Sequence, residues 1–250
     1  MKNSTPHIIF LKEADSTNKE IWQLADSGQP IPEGLILWAG KQQAGRGMGT
    51  TKWHSEAGKN LTCSFFFKPV FLEPGKQFIL NKCIAISICS TLQQIAPEYE
   101  FRIKWPNDIY HENKKISGTL IENRIQGQTF ECCVVGIGIN INQIHFPEDV
   151  PNPISLALIT GKQIHVKTCL FKLNKNICHF YTILKQGDHN KINELYLKQM
   201  LGYSRYITFR KNDKVFDATI EGVSDYGKLI LRDDRNNIRE YGMKEIEFLL

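Results

Sequence analysis

The segment around which the rest of this chain is organised is Gln42-Gln43-Ala44-Gly45-Arg46-Gly47-Met48-Gly49-Thr50-Thr51-Lys52-Trp53. It follows Leu35-Ile36-Leu37-Trp38-Ala39, a short apolar run typical of a buried strand. Its three glycines allow positive φ and close approach of the backbone to a ligand. Arg46 adds a permanent cation with a fixed set of donors. The segment, called here the glycine-rich loop, therefore predicts a site for an anion.

Two common phosphate-binding motifs do not fit this loop. A Walker loop ends in Gly-Lys-Ser or Gly-Lys-Thr, and that ending is missing. A Rossmann fingerprint opens a helix, and no helical pattern follows the loop. A flexible surface loop that happens to carry an arginine is the simpler alternative until a second motif is considered.

Length and composition limit the class of protein. The 250 residues allow one large domain, or one plus a small one. The net charge of +5 is mild and does not demand a nucleic acid partner. The sequence has no run of eighteen apolar residues and no secretory signal. None of its seven cysteines forms a Cys-x-x-Cys pair, so we do not expect a structural metal site. We expect most of these cysteines to be small buried hydrophobic residues of a protein in a reducing cytoplasm.

Residues 7–141 alternate strand and helix patterns. Strands are predicted at residues 7–11, 35–39, 61–67, 101–105 and 130–141, with a hairpin at 109–122. A capped helix is predicted at 18–27 and a largely buried one at 77–95. Ser16 and Thr17 are either simple helix caps or contacts for a ligand at that helix N-terminus. Glycines within the strand at 130–141 indicate close approach by another group.

The rest of the chain begins with a loop and two helices and then changes composition. Residues 142–153 hold three prolines and predict a loop, and helices are predicted at 167–184 and 190–201. From Gly202 onward, short strands alternate with charged turns, which is typical of a small β-barrel such as a five-stranded one. We therefore expect two domains, residues 1–201 and 202–250.

A second motif, Lys104-Trp105-Pro106-Asn107-Asp108, gives the loop a context. With Asp15-Ser16-Thr17-Asn18, Lys115-Ile116-Ser117-Gly118 and Gly136-Ile137-Gly138-Ile139-Asn140, in this order, the sequence resembles biotin–protein ligases. These enzymes attach biotin to a lysine of a biotin carboxyl carrier domain. The resemblance implies an α+β fold: a mixed β-sheet catalytic domain with helices on one side, plus a small C-terminal SH3-like β-barrel. Fewer than twenty residues precede the first motif, which indicates the short form without an N-terminal DNA-binding domain.

The resemblance also implies roles for individual residues. A carboxylate attacks the α-phosphate of ATP to give biotinyl-5'-adenylate, so cations are needed where two anions meet. The implied catalytic residues are Arg46, Lys115 and Asp108. The implied biotin-binding residues are Ser16, Thr17, Asn18, Gln42, Arg46, Gly47, Met48 and Lys115. The implied nucleotide-binding residues are Arg46, Trp53, Asn107, Gly138 and Asn140, and Asp108 is the implied Mg²⁺ ligand.

One residue departs from the family pattern. The residue after Arg46-Gly47 is often basic in this family, but here it is Met48. A missing cation in the loop predicts weaker retention of the adenylate, which Lys52 would offset in part. Met48 can also simply pack over the ligand.

The implied substrates are biotin and ATP with Mg²⁺, and the implied partner is a biotin carboxyl carrier domain in the cytoplasm, with no DNA and no membrane. Oligomeric state, including a homodimer, is left open. A lipoate or octanoate ligase or transferase of the same superfamily is the nearest alternative. A nucleic-acid-binding protein is the other, although the basic residues are scattered among acids.

Overall fold

The structure is a computed structural model that describes residues 6–249. Within them lie five α-helices, one short 3-10 helix (Pro74–Lys76) and twelve strands. The helices are α1 (Thr17–Asp26), α2 (Phe78–Ile95), α3 (Leu156–Thr160), α4 (Val166–Lys185) and α5 (His189–Gln199). The strands are β1 (Ile8–Leu11), β2 (Ile36–Ala39), β3 (Leu61–Phe67), β4 (Arg102–Lys104), β5 (Asp108–His111), β6 (Lys114–Gln126), β7 (Thr129–Ile139), β8 (Tyr206–Lys211), β9 (Lys214–Val223), β10 (Leu229–Asp233), β11 (Ile238–Tyr241) and β12 (Glu247–Leu249).

The larger sheet is mixed. Its seven strands run in the order β1-β2-β3-β7-β6-β5-β4. Strands β1 and β2 are parallel, and the other neighbours are antiparallel. The long β6–β7 hairpin sets the register at the centre of the sheet, where Gly118 lies opposite Gly138.

The two faces of this sheet differ because successive side chains point to opposite sides. On β3, Cys63 and Phe65 belong to the main core under α2 and α4, whereas Phe66 packs with Ile21 of α1. Among residues 6–249, helices α2, α4 and α5 therefore cover one face as expected, and only the short α1 covers part of the other. The remainder of that second face is open and holds the cavity described below.

Helix α2 is the centre of the main core. Thirteen of its eighteen residues are buried, including Lys82. Its apolar stretch, counted from Pro74, is long enough to cross a membrane by length and composition, but most of it is buried inside the protein. Cys89 on this helix and Cys169 on α4 are buried as predicted, and burial raises the pKa of each thiol to about 12.

The C-terminal strands form a second, antiparallel sheet in the order β11-β10-β9-β8-β12. No pairing of β11 with β12 occurs within residues 6–249, so this small β-sheet is an open version of the expected barrel. Its Phe209 and Leu231 belong to the same apolar cluster as α2, and Trp105 Nε1 donates to the Gly227 carbonyl at 3.0 Å. The tail is therefore fixed against the larger sheet, and the division at residues 201 and 202 stays a prediction.

Helix α3 was not predicted, although its ends carry recognisable signals. Ser155 is its N-cap and accepts a hydrogen bond from the Leu158 N–H. Gly161 ends it with a left-handed φ of 69°. Five residues are too few to show a helical period in the sequence.

Candidate active site

A cavity of about 300 Å³ lies on the open face of the larger sheet. Its floor is made by glycines of β6 and β7: Gly118, Gly136 and Gly138. A Cβ on Gly136 would lie 2.3 Å from Asn18 Oδ1, and one on Gly138 would lie 2.2 Å from Trp53 Cε2. The predicted close approach at these glycines is confirmed, and the approaching groups are side chains of the protein itself.

The N-terminus of α1 forms one wall. Ser16 is its N-cap, yet its side chain makes no capping hydrogen bond. The Thr17 N–H donates to Gln42 Oε1 at 2.8 Å, which joins the helix end to the glycine-rich loop. Ser16, Thr17, Asn18 and Gln42 all line the cavity. The capping interpretation of Ser16 is therefore the weaker of the two, because its hydroxyl is not used by the helix.

Asn18 is held in one orientation by the sheet. Its Oδ1 lies 2.6 Å from Ser64 Oγ, and its Nδ2 donates to Glu122 Oε2 at 2.8 Å. The same carboxylate oxygen accepts from Trp22 Nε1 at 3.2 Å. Glu122, on β6, thus orients a cavity-lining amide, and sequence reasoning did not find it.

The glycine-rich loop closes over the cavity as a narrow hairpin. The Gly47 N–H donates to the Thr51 carbonyl at 2.8 Å, and the Trp53 N–H donates to the Gly45 carbonyl at 3.0 Å. Of the loop's glycines only Gly49 has positive φ, at 68°. Gly45 and Gly47 are needed for space, because a Cβ on either would lie 2.4 Å from an oxygen of the opposite strand of the hairpin. Gly49 thus uses the positive φ that glycine allows, and Gly45 and Gly47 use its lack of a side chain.

Two cations of the cavity are paired with carboxylates. Arg46 NH2 lies 3.1 Å from Glu122 Oε1, and Lys115 Nζ lies 2.7 Å from Asp108 Oδ2. These pairs keep both cations at the cavity wall. An incoming anion would compete with the two carboxylates for them.

Trp53 forms part of the cavity wall and is half-buried. Its indole lies over Gly138 and within 3.3 Å of the Cβ position of Gly118. Two polar atoms in this wall, Trp53 Nε1 and Thr119 Oγ1, are buried without a hydrogen-bond partner within residues 6–249. Buried polar atoms without a partner are costly, and native proteins keep few of them, so their presence in this wall sets it apart from the ordinary core.

The two predicted nucleotide-contacting amides also line the cavity. Asn107 donates to the Thr119 carbonyl at 2.7 Å, and Asn140 donates to the Ile154 carbonyl at 3.0 Å. Their donors are thus engaged with backbone, which leaves the side-chain oxygen of Asn107 for a ligand or an ion.

The donor set bears on the implied Mg²⁺. Within residues 6–249 no group of three or more His, Cys, Asp or Glu is placed to hold a metal. Asp108 is the one carboxylate on the cavity wall in that range. Mg²⁺ commonly binds through one or two carboxylates together with substrate phosphates. Asp108 therefore fits an ion that arrives with ATP, and does not fit a resident metal.

The structure thus brings all the predicted site residues together in one cavity. Ser16, Thr17, Asn18, Gln42, Arg46, Gly47, Met48, Trp53, Asn107, Asp108, Lys115, Gly138 and Asn140 line it. Lys104, from the second motif, lies outside it in a groove against the C-terminal sheet. Burial lowers the pKa of that lysine, whose Nζ lies 4.8 Å from the centre of the Tyr110 ring.

Comparison with known proteins agrees with this arrangement. Residues 11–140, which include every motif above, match the model of the Biotin/lipoate A/B protein ligase family. This chain belongs to that family. The resemblance derived from the motifs is confirmed.

Individual members of the ligase family match nearly the whole chain. The bifunctional ligase/repressor BirA of Bacillus spizizenii is 29% identical, over 96% of this chain and 74% of that protein. The biotin--[acetyl-CoA-carboxylase] ligase of Paracoccus denitrificans is 26% identical, over 89% of this chain and 93% of that protein. A solved structure, the biotin protein ligase from Aquifex aeolicus in complex with biotin and ATP, gives a TM-score of 0.79 at 28% identity. The match covers 97% of this chain and 98% of that one. The expected fold class is confirmed.

Proposed function

We propose that this chain is an ATP-dependent ligase that activates biotin as biotinyl-5'-adenylate and transfers the biotinyl group to a lysine of a biotin carboxyl carrier domain. One observation carries the proposal: Arg46 and Lys115, from distant parts of the chain, line one cavity with the N-terminus of α1. A site that joins two anionic reactants needs such converging positive charge. The similarity to enzymes named as biotin ligases supports the choice of substrate.

The first step is attack by the biotin carboxylate on the α-phosphorus of ATP. A new carboxylate oxygen–phosphorus bond forms, the bond between the α-phosphorus and the bridging oxygen breaks, and pyrophosphate leaves with the electron pair. Negative charge concentrates on the α-phosphate oxygens as this happens. Lys115 and Arg46 are proposed to stabilise that charge, each exchanging its carboxylate partner, Asp108 or Glu122, for the phosphate.

The biotin head is proposed to bind at the N-terminus of α1. A cyclic urea offers one carbonyl acceptor and two N–H donors, so it needs mixed polar partners. The Ser16 hydroxyl, free of a capping bond, and the side chains of Thr17 and Asn18 supply them. Gln42, Gly47 and Met48 would close the site from the loop side.

The nucleotide is proposed to occupy the part of the cavity between Trp53 and the Asn107–Asp108 turn. The indole, which lies on Gly138, would offer an adenine ring its apolar face, and Asn140 lines the same cavity. Asp108 and the side-chain oxygen of Asn107 would hold Mg²⁺, which when bound neutralises the triphosphate.

The second step would pass the biotinyl group from the adenylate to the amine of a carrier lysine and release AMP. A biotin carboxyl carrier domain is the acceptor that the family resemblance supports, and the reducing cytoplasm is the compartment we propose. The buried cysteines, such as Cys83 with its raised pKa, suit that compartment because they act as packing groups.

Lipoate or octanoate is the alternative acyl substrate, because the family model covers ligases for both cofactors. The test is pyrophosphate release from ATP and Mg²⁺ with either acid. We expect release with biotin and only background with lipoate, and the reverse would assign the lipoate function. Lys115→Ala should slow release by on the order of 10²-fold, because one cation is lost from the site. Lys114→Ala, the exposed neighbour on the same strand, is the control.

A further inference from the structure

From the described part of the C-terminal region, residues 202–249, one side chain lines the cavity, that of Lys244. It stands in the turn between β11 and β12, where the Glu245 N–H donates to the Gly242 carbonyl at 3.1 Å. Glu245 Oε2 accepts from the Gly242 N–H at 2.9 Å, which closes the turn a second time. Lys244 has a φ of 68°. Positive φ at the third position of a turn favours glycine, so a lysine there is structurally unfavourable.

The lysine points its charge at the glycine-rich loop. Its Nζ lies 3.1 Å from the position that a Cβ on Gly49 would take. It lines the cavity together with Met48 and Lys52 of the loop. The end of the loop and the C-terminal turn therefore face each other across the mouth of the site.

The charge of Lys244 is not compensated. Four cationic side chains line the cavity: Arg46, Lys52, Lys115 and Lys244. Arg46 and Lys115 have carboxylate partners, whereas Lys52 and Lys244 form no ion pair with any residue from 6 to 249. An anion at the mouth would meet these two lysines without displacing a carboxylate.

A second groove along the C-terminal sheet adjoins the cavity at this point. Met48, Pro106, Asp108 and Lys244 line both spaces and therefore form their common boundary. ATP carries two more phosphates than an acyl-adenylate, and these must extend beyond the α-phosphate that Lys115 is proposed to contact. The adjoining groove beside Lys244 offers that room, and the loop itself contributes only the uncharged Met48 to its lining.

We propose that Lys244 binds the β- and γ-phosphates of ATP and holds them as the pyrophosphate leaving group. The inference rests on the proposed function. Lys244 would act when the α-phosphorus–bridging oxygen bond breaks and the electron pair moves to pyrophosphate, because the growing charge on that group lies closest to it. The adenylate has lost these phosphates, so Lys244 should have no part in transfer to the carrier.

The experiment separates this role from a structural one. Lys244→Gly removes the charge and relieves the left-handed backbone, so we expect it to keep or raise the melting temperature while raising KM for ATP about tenfold or more. Lys244→Met removes the charge alone and should raise KM for ATP equally. Lys244→Arg keeps the charge, so its KM for ATP should lie between that of Lys244→Met and that of the unmodified chain. Asn236→Gly relieves another left-handed residue of the same sheet, with φ of 63°, and is the matched control.

Both half-reactions are measured for each variant. Transfer from chemically prepared biotinyl-adenylate to a carrier domain should be unchanged in all of them. A KM for ATP within twofold of the unmodified chain in Lys244→Gly and Lys244→Met would overturn the inference, and so would an equal loss in both half-reactions. If the unmodified chain releases no pyrophosphate with biotin, the proposed function fails, and this role of Lys244 fails with it.

Discussion

Gly138→Ala tests whether the floor of the cavity positions Trp53. The added Cβ would lie 2.2 Å from Trp53 Cε2 and 2.6 Å from its Nε1. Ordinary van der Waals contact begins at 3.4 Å, so the indole must move by about 1.2 Å. The backbone of Gly138 has little freedom to yield instead, because it is paired with β3 on one side and β6 on the other.

The expected effect falls on ATP and not on the fold. A clash of this kind costs about 1–3 kcal/mol in a packed site. Trp53 is half-buried and lies at the cavity wall, so it can move outward at little cost to the core. If most of that cost appears as lost contact with the adenine, KM for ATP rises about tenfold or more.

The assay is the initial rate of pyrophosphate release against ATP concentration at saturating biotin, together with thermal unfolding. Gly222→Ala on β9 is the control, because a Cβ there would meet nothing within 4 Å and its φ is not positive. We expect the control to match the unmodified chain. An unchanged KM for ATP in Gly138→Ala, or a large loss of stability with normal ATP use, would refute the platform role of Trp53.

Three further outcomes are expected. Glu122→Gln should speed hydrogen exchange in the ligand-free glycine-rich loop by at most about fivefold. The Arg46 and Glu122 side chains are 51% and 27% exposed, and an ion pair of such exposure contributes up to about 1 kcal/mol. Unchanged exchange would show that the pair does not hold the loop. Burial lowers the pKa of Lys82 from 10.5 to about 8, so the unfolded chain binds more protons between these values and stability should rise with pH there. Between about pH 7.5 and 9.5, the free energy of unfolding measured in urea should rise by about 2 kcal/mol more in the unmodified chain than in Lys82→Met. Parallel pH curves of the two proteins would contradict this expectation. Met48→Arg should slow dissociation of biotinyl-adenylate and reduce labelling of lysines outside the carrier, and equal dissociation rates would remove Met48 from retention.

Much of the fold was predictable because its elements carry local signals. Helix α2 and strands β3 and β7 appear where hydrophobic periodicity places them. The glycines of β7 were recognised as points of close approach from another local signal, the presence of glycine inside a strand. Their partners, Asn18 and Trp53, lie far away in the sequence, and neither period nor spacing connects them.

The missed parts of the site depend on register and on packing between the two sheets. Glu122 meets Arg46 across 76 residues only because β6 pairs with β7 in one particular register. Lys244 reaches the loop only because the C-terminal sheet packs on α2 and on the Trp105 turn. A charged residue in a polar turn has no sequence signal that distinguishes it from a solvated one.

Single-turnover adenylation tests most directly whether the cavity activates biotin. Excess protein is mixed with ATP labelled at the α-phosphate, Mg²⁺ and either biotin or lipoate, and the quenched products are separated. We expect the label in biotinyl-adenylate with biotin, little with lipoate, and formation slowed on the order of 10²-fold in Lys115→Ala. Absence of an acyl-adenylate with biotin, or undiminished formation in Lys115→Ala, would contradict the assignment of this cavity as the site of biotin activation.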